Sequence, residues 1–511
     1  MDRRHLLRVG GALSMLGGAA PFALQLAAAG SAAGQSAPDY KALVCIFLFG
    51  GNDSHNTVLA TDTDSWGRYF ATRSSGTDPI ALLPVGTAPT PVGQTNPVTG
   101  RVSNLLSPEA WGGVLPITPR TAQAIPAGTT ATTRGFALHP FMGPMQTLFE
   151  QGRLAVLANV GTLIQPITKA QYQAKSVSVP ASLFSHNDQQ STWQALSTEG
   201  ALAGWGGRFA DLVAGMNGSS TLFTAVSAAG NAVFLSGQSV VQYQLSTGAQ
   251  PAVVITGQQG GSLFGSSIAP ARVRDLVTDT ALSGNFADDY SGVVGRSISA
   301  ATTVNSAFTQ GIVTSVAPAP AYTNPQTQRV ETNTLALQLQ TVARMIAASS
   351  TLGVKRQVFF VSLGGWDTHD FQNTTQPNLL AKVAHAMSYF DGALSSVGGL
   401  DRRAQVTTFT ASDFSRTFQT NGDGTDHAWG AHHFIMGGAV NGGDIYGQYP
   451  TLGVDVGGFN NPDNINGALI PTTSVDQYGA TLGRWFGVSD PDIDTIFPRL
   501  RNFPTRYLSF V

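Results

Sequence analysis

Acids and imidazoles fall into four short motifs. Asp53 sits in Gly50-Gly-Asn-Asp-Ser-His-Asn-Thr57, Asp367 and His369 in Gly364-Gly-Trp-Asp-Thr-His369, Asp413 and Arg416 in Ala411-Ser-Asp-Phe-Ser-Arg-Thr417, and Asp426 and His427 in Gly424-Thr-Asp-His-Ala-Trp-Gly430. Six histidines, His55, His186, His369, His427, His432 and His433, lie in or beside short motifs of this kind. Carboxylates mixed with imidazoles, without thiolates, suit Zn²⁺, Mn²⁺ or a similar divalent ion, with Ca²⁺ the oxygen-preferring alternative. Each motif alone also reads as a helix cap or a satisfied turn. Their joint placement is what argues for a site.

The elements before the motifs supply that placement. Ala42-Leu-Val-Cys-Ile-Phe-Leu-Phe49 is an unbroken apolar run ended by Gly50-Gly51, the pattern of a parallel strand buried on both faces. Arg153 to Val160, Gln357 to Leu363 and Gln405 to Thr410 read the same way. Asp53 follows the first of these strands, Asp367 and His369 the third, and Asp413 the fourth. Ligands in open α/β sheets bind beyond the carboxyl ends of the strands, so these carboxylates are expected at one sheet edge.

Helical segments are expected at Pro140 to Gly152, over about 187 to 213 with a break at Gly204 to Gly207, at Asn333 to Ser350 and at Leu379 to Val397. Strands alternating with helices predict an α/β fold, a doubly wound, mainly parallel sheet with helices on both faces. Residues ~60 to 136 read as a loop-rich excursion. Residues about 215 to 325, rich in Ser, Thr and Gly, read as an insertion or cap, with strand-like pieces at Ala232 to Leu235 and Val253 to Thr256.

The chain begins Met1-Asp-Arg-Arg-His-Leu-Leu-Arg8, followed by a mildly apolar stretch and Ala27-Ala-Ala29. This is the form of a twin-arginine signal peptide over residues 1 to 36, with 37 to 511 as one folded domain and a periplasmic or secreted destination. Only 11% of the 511 residues are charged and the net charge is −2, so there is no basic footprint for nucleic acid. No later apolar run is long enough to predict a transmembrane helix in the mature chain. The single cysteine, Cys45, lies inside the first strand and reads as an inert core thiol.

The four motifs, in this order, resemble the signature blocks of the exported bacterial domain-of-unknown-function 1501 family, across nearly the whole mature chain. That family is similar in turn to the alkaline phosphatase and sulfatase superfamily of two-metal hydrolases. The resemblance implies an alkaline-phosphatase-like fold and a metal-dependent hydrolase of phosphate or sulfate esters. It implies one or two divalent ions held by Asp53, Asp367, His369 and Asp413, with Ser185 as nucleophile and a small-molecule ester or glycan-type substrate. The superfamily pattern has Asp-His where this chain has Asp413-Phe414. Asp426 with His427, or His432 and His433, would then supply the missing imidazole. Two metals would lower the pKa of the Ser185 hydroxyl, and Arg416 would clamp a tetrahedral oxyanion. Ser185 reads equally as a helix N-cap, and Arg416 as half of an ion pair. The other function class is an exported protein on the same fold that holds metal, or binds a partner or glycan, without turnover.

Overall fold

The computed structural model describes residues 39–127, 129–252, 261–279 and 285–511. The expected export segment lies outside the described residues, as does the strand-like piece at 253–256. Among the described residues, nine strands build the central sheet: β1 (Lys41–Phe49), β2 (Leu154–Gly161), β3 (Ala225–Ser227), β4 (Tyr243–Gln244), β5 (Arg356–Gly364), β6 (Val406–Ser412), β7 (Ala431–Met436), β8 (Ile445–Tyr446) and β9 (Thr473–Ser474). Their order is β8-β2-β7-β6-β1-β5-β3-β4, with β9 alongside β2. Every pairing is parallel except the two made by β7. The expected mostly parallel α/β sheet is therefore present.

Register decides what the sheet can position. Phe49 pairs with Gly364, and Leu48 with Ser412, so β1, β5 and β6 end at the same level. The segments carrying Asp53, Asp367 and Asp413 leave the sheet side by side. Because β7 runs the other way, the residues before Ala431, His427 among them, enter from that same edge.

Alternation along β1 divides the core. Ala42, Val44, Ile46 and Leu48 join one buried cluster, with the helices α1 (Gly143–Glu150), α4 (Thr334–Ala347) and α5 (Gln372–Leu394). Leu43, Cys45 and Phe47 join another, with α3 (Trp205–Val213) and α6 (Val475–Phe486). A strand buried on both faces has no polar alternation, which is why its sequence is continuously apolar. The helix α2 (His186–Ala195) starts at the Ser185 cap.

Two local expectations change. The excursion after residue 60 contains the helix Thr63–Arg73 and, with the strand Val58–Ala60, a small antiparallel sheet completed by Leu115–Ile117 and Phe136–Leu138. The helix buries Ser65, Tyr69 and Arg73, so its inward face is largely polar and shows no apolar period. Ala232 to Leu235 is not a strand. Val233–Leu235 forms a 3₁₀ turn, and Phe234 packs on Trp205 at 4.6 Å, because a four-residue apolar piece carries no period to fix its form. The 215–325 segment also supplies β3 and β4 to the sheet edge before the long helix Asn285–Phe308.

Candidate metal centre

Close backbone contact brings the motifs together. Gly50 and Gly51 both have positive φ, 118° and 84°. A Cβ on Gly50 would lie 2.4 Å from the Asp367 amide nitrogen, and one on Gly51 2.7 Å from the Phe414 ring. Only glycine lets the β1 exit run against both neighbouring loops. A short antiparallel bridge between Arg416 and His427 then sets the fourth motif beside the third.

Three imidazoles converge on Asp367. The Nε2 atoms of His186, His369 and His427 lie 3.4, 3.3 and 3.5 Å from its Oδ1. Donor atoms of His186, Asp367 and His427 all lie within 4.8 Å of one another. The other nitrogen of each ring faces an oxygen that only accepts. His186 Nδ1 is 2.6 Å from Asp413 Oδ2, His427 Nδ1 is 2.7 Å from the Phe184 carbonyl, and His369 Nδ1 is 3.1 Å from Asp426 Oδ1. For His186 and His427 this places the hydrogen on Nδ1 and aims Nε2 at the shared point, so His369 Nε2 is the donor in its contact with His427 Nε2. This is the outer-shell arrangement that orients metal-ligating histidines.

Distances test whether an ion fits. Donors bound to one ion at about 2.0–2.1 Å in tetrahedral geometry stand about 3.3 Å apart. His186 and His427 meet that spacing to Asp367. His369 Nε2 stands only 2.8 Å from His427 Nε2, a hydrogen-bond distance. His186, His427 and Asp367 thus fit as three ligands, with His369 flanking the remaining direction. Imidazole-rich donors suit Zn²⁺ or Mn²⁺ better than Ca²⁺, which takes six to eight oxygens.

Electrostatics follow the same partners. The Asp413 hydrogen bond raises the His186 pKa, outweighing burial. Burial lowers that of His427, with the charges of Arg416 and His186 adding to it against the pull of the Phe184 carbonyl. Burial pushes the Asp367 carboxyl up, but the Arg416 hydrogen bond and charge hold it below the ordinary carboxylate value.

The other candidate residues make the following contacts. Asp53 is fully buried and saturated: Arg73 Nη1 and Nη2 donate to it at 2.5 and 3.0 Å, Gln372 Nε2 at 2.6 Å and the His55 amide at 3.0 Å. Asp413 holds the His186 ring and Asp426 the His369 ring. Arg416 does not face outward to an anion. Its guanidinium is fully buried and donates to the carbonyls of Gly50, Gly51 and Thr425 and to Asp367, which it orients. Phe414 packs its ring 4.8 Å from those of both His186 and His427 and forms a wall of the site. Ser185 caps α2 through a long 3.5 Å contact from the Asp188 amide, one residue before His186.

His432 and His433 lie on β7 inside the core, away from the shared point. Burial drives both down to a pKa of about 3. His432 Nδ1 accepts from the Asn159 amide at 3.0 Å, and its ring lies 4.7 Å from Tyr449. His55 is buried against Phe418 at 4.9 Å. Three participants carry no motif signal: the Phe184 carbonyl, Gln190, which donates to Asp413 Oδ2 at 2.8 Å, and Arg73. Gln190 is four residues after His186, one helical turn along the same face, a spacing that could have found it.

No curated protein matches the chain. Residues 40–497 match the family described as "Protein of unknown function (DUF1501)", which spans the sheet and every motif of the site. The chain belongs to the DUF1501 family.

Proposed function

We propose that this protein is an exported, metal-dependent hydrolase of phosphate or sulfate esters, on an alkaline-phosphatase-like, doubly wound fold. The observation that carries the reading is the convergence of His186 and His427 on Asp367, each ring fixed through Nδ1. Three protein ligands are the complement of a catalytic site, which keeps a position for water or substrate. A divalent ion bound there would act as a Lewis acid on a non-bridging ester oxygen and lower the pKa of a nearby hydroxyl.

The chain's own residues divide the remaining work. Arg416 fixes Asp367, Asp413 fixes His186, and the Phe184 carbonyl fixes His427. Phe414 keeps water from one side of the site. The Ser185 hydroxyl, next to His186 and weakly engaged by its cap contact, is the proposed nucleophile. It would bond to the ester's phosphorus or sulfur as the bond to the alcohol oxygen breaks. The serine's proton passes, directly or through a water, to the departing alcohol oxygen, and one water then attacks the seryl ester, releasing the acid and returning a proton to the serine oxygen.

Aryl phosphate and aryl sulfate esters, assayed with the metal-loaded mature protein and its Ser185→Ala and Asp367→Asn variants, test the reading. Turnover lost in both variants, with metal retained in Ser185→Ala, is the expected result. A loaded protein that turns over neither ester class would instead hold its ion without hydrolysis.

A further inference from the structure

The carboxylates at this sheet edge are not equivalent. Asp367 and Asp53 leave adjacent parallel strands at one level, so each stands where a cation could be held. Asp367 is half-exposed and held on one oxygen by Arg416, and it also faces three imidazoles, of which His186 has an Nε2 without a hydrogen-bond partner. Asp53 is already matched to a cation of the chain's own.

That cation is Arg73. It meets Asp53 side by side, two nitrogens on two oxygens, at 2.5 and 3.0 Å. Its remaining donors reach Asn56 Oδ1 at 2.9 Å and the carbonyls of Phe418 and Thr417, each at 2.8 Å. Neither side chain of the pair is exposed. With Gln372 and the His55 amide also on the carboxylate, no lone pair of Asp53 is left for a metal ion without dismantling five buried hydrogen bonds from Arg73. Removing one partner of such a pair is strongly unfavourable.

Charge balance leads to the same count. Asp53, Asp367, Asp413 and Asp426 face two guanidinium groups, Arg73 and Arg416. With neutral imidazoles two negative charges remain, which one divalent ion neutralises. A second ion would leave the network with net positive charge, most costly at Asp53 and Asp413, whose side chains are fully buried.

We infer that the centre takes a single divalent ion of the Zn²⁺ or Mn²⁺ class at His186, Asp367 and His427, and that Arg73 does at Asp53 what a second ion would otherwise do. The inference rests on the metal reading above and departs from the two-metal arrangement that the superfamily resemblance implies.

Stoichiometry tests it without any assay of turnover. Full-length mature protein is stripped with a chelator, dialysed against Zn²⁺ alone and counted by plasma mass spectrometry. In parallel, Co²⁺ is titrated in and followed by its visible absorption. One Zn²⁺ per chain, a Co²⁺ signal that saturates at one equivalent, and the same count in the charge-neutral double variant Asp53→Asn/Arg73→Gln support the inference. Two ions per wild-type chain overturn it while leaving the hydrolase reading standing. No ion taken up removes the metal reading itself and this inference with it. The wild-type count decides the matter even where the double variant fails to fold.

Discussion

Replacing Asp413 with asparagine isolates what the outer contact contributes to the ion site. Asp413 Oδ2 accepts from His186 Nδ1 at 2.6 Å, from Gln190 Nε2 at 2.8 Å and from the Gly50 amide at 3.2 Å. An asparagine oxygen can keep these contacts in shape but removes the negative charge behind the shortest one. Two consequences follow: the ring becomes a weaker donor, and its tautomer is held less firmly. Outer-shell losses of this kind typically cost 10–100-fold in metal affinity, about 1.4–2.7 kcal/mol. The comparison is best made at pH 8, because Asp413 also raises the His186 pKa and proton competition would otherwise mask part of the effect. Competition against a chromophoric chelator gives the Zn²⁺ affinity of wild type and Asp413→Asn, with thermal unfolding to establish that both are folded. Gln190→Leu, which removes an uncharged partner of the same oxygen, is the control, expected within about threefold of wild type. A folded Asp413→Asn protein that binds Zn²⁺ as tightly as wild type would refute the argument that this carboxylate orients and strengthens His186.

Arg73→Met leaves the buried Asp53 carboxylate unpaired, and a loss of about 3–5 kcal/mol is expected in denaturant unfolding; an unchanged midpoint would show that the pair is dispensable. His139, His432 and His433 are all held near pKa 3 by burial, against an ordinary imidazole value of 6.5. Below pH 6.5 the unfolded chain takes up protons that the native state refuses until about pH 3, so stability is complete above 6.5 and falls across that window. At pH 5 each ring costs about 2 kcal/mol, together a large share of an ordinary domain's stability, so thermal midpoints measured from pH 8 to 5 should drop steeply rather than stay level. Burial raises the Asp476 pKa to about 6 from 3.8, so Asp476→Asn should stabilise the protein by about 3 kcal/mol above pH 6 and by little below pH 4; equal effects at both ends would contradict this. Ser185→Ala is expected to keep the ion, lose ester turnover and unfold within about 1 kcal/mol of wild type, since its cap contact is long.

The main strands were legible because burial on both faces leaves an uninterrupted apolar run, as in Leu43 to Phe47. The site was legible wherever a motif followed directly on such a strand: Asp367, His369 and Asp413 lie where strand order requires. Other features left no trace of that kind. Arg73 sits on the inward face of a helix whose buried residues are otherwise Ser65 and Tyr69, so the one side chain that decides the fate of Asp53 looks like surface. His432 and His433 resemble ligands in sequence, yet β7 carries them into the core, where the sheet fixes them as neutral packing groups. The Phe184 carbonyl is backbone, and a backbone acceptor has no residue type to announce it. Asp53 and Asp367 follow glycine pairs in nearly the same way, yet Asp53 is buried under Arg73 and Gln372 while Asp367 stays half-exposed before three imidazoles.

Everything proposed for the site depends on imidazole nitrogens and the Asp367 carboxylate holding a divalent ion at the carboxyl edge of the sheet. X-ray absorption at the K-edge of the ion that remains with mature protein purified without chelators tests it most directly. The expected result is a first shell of nitrogen and oxygen at about 2.0–2.1 Å with the outer scattering of at least two imidazoles, abolished in folded Asp367→Asn protein. A protein that carries no ion and takes up none, or an ion with an all-oxygen shell that survives Asp367→Asn, would contradict it.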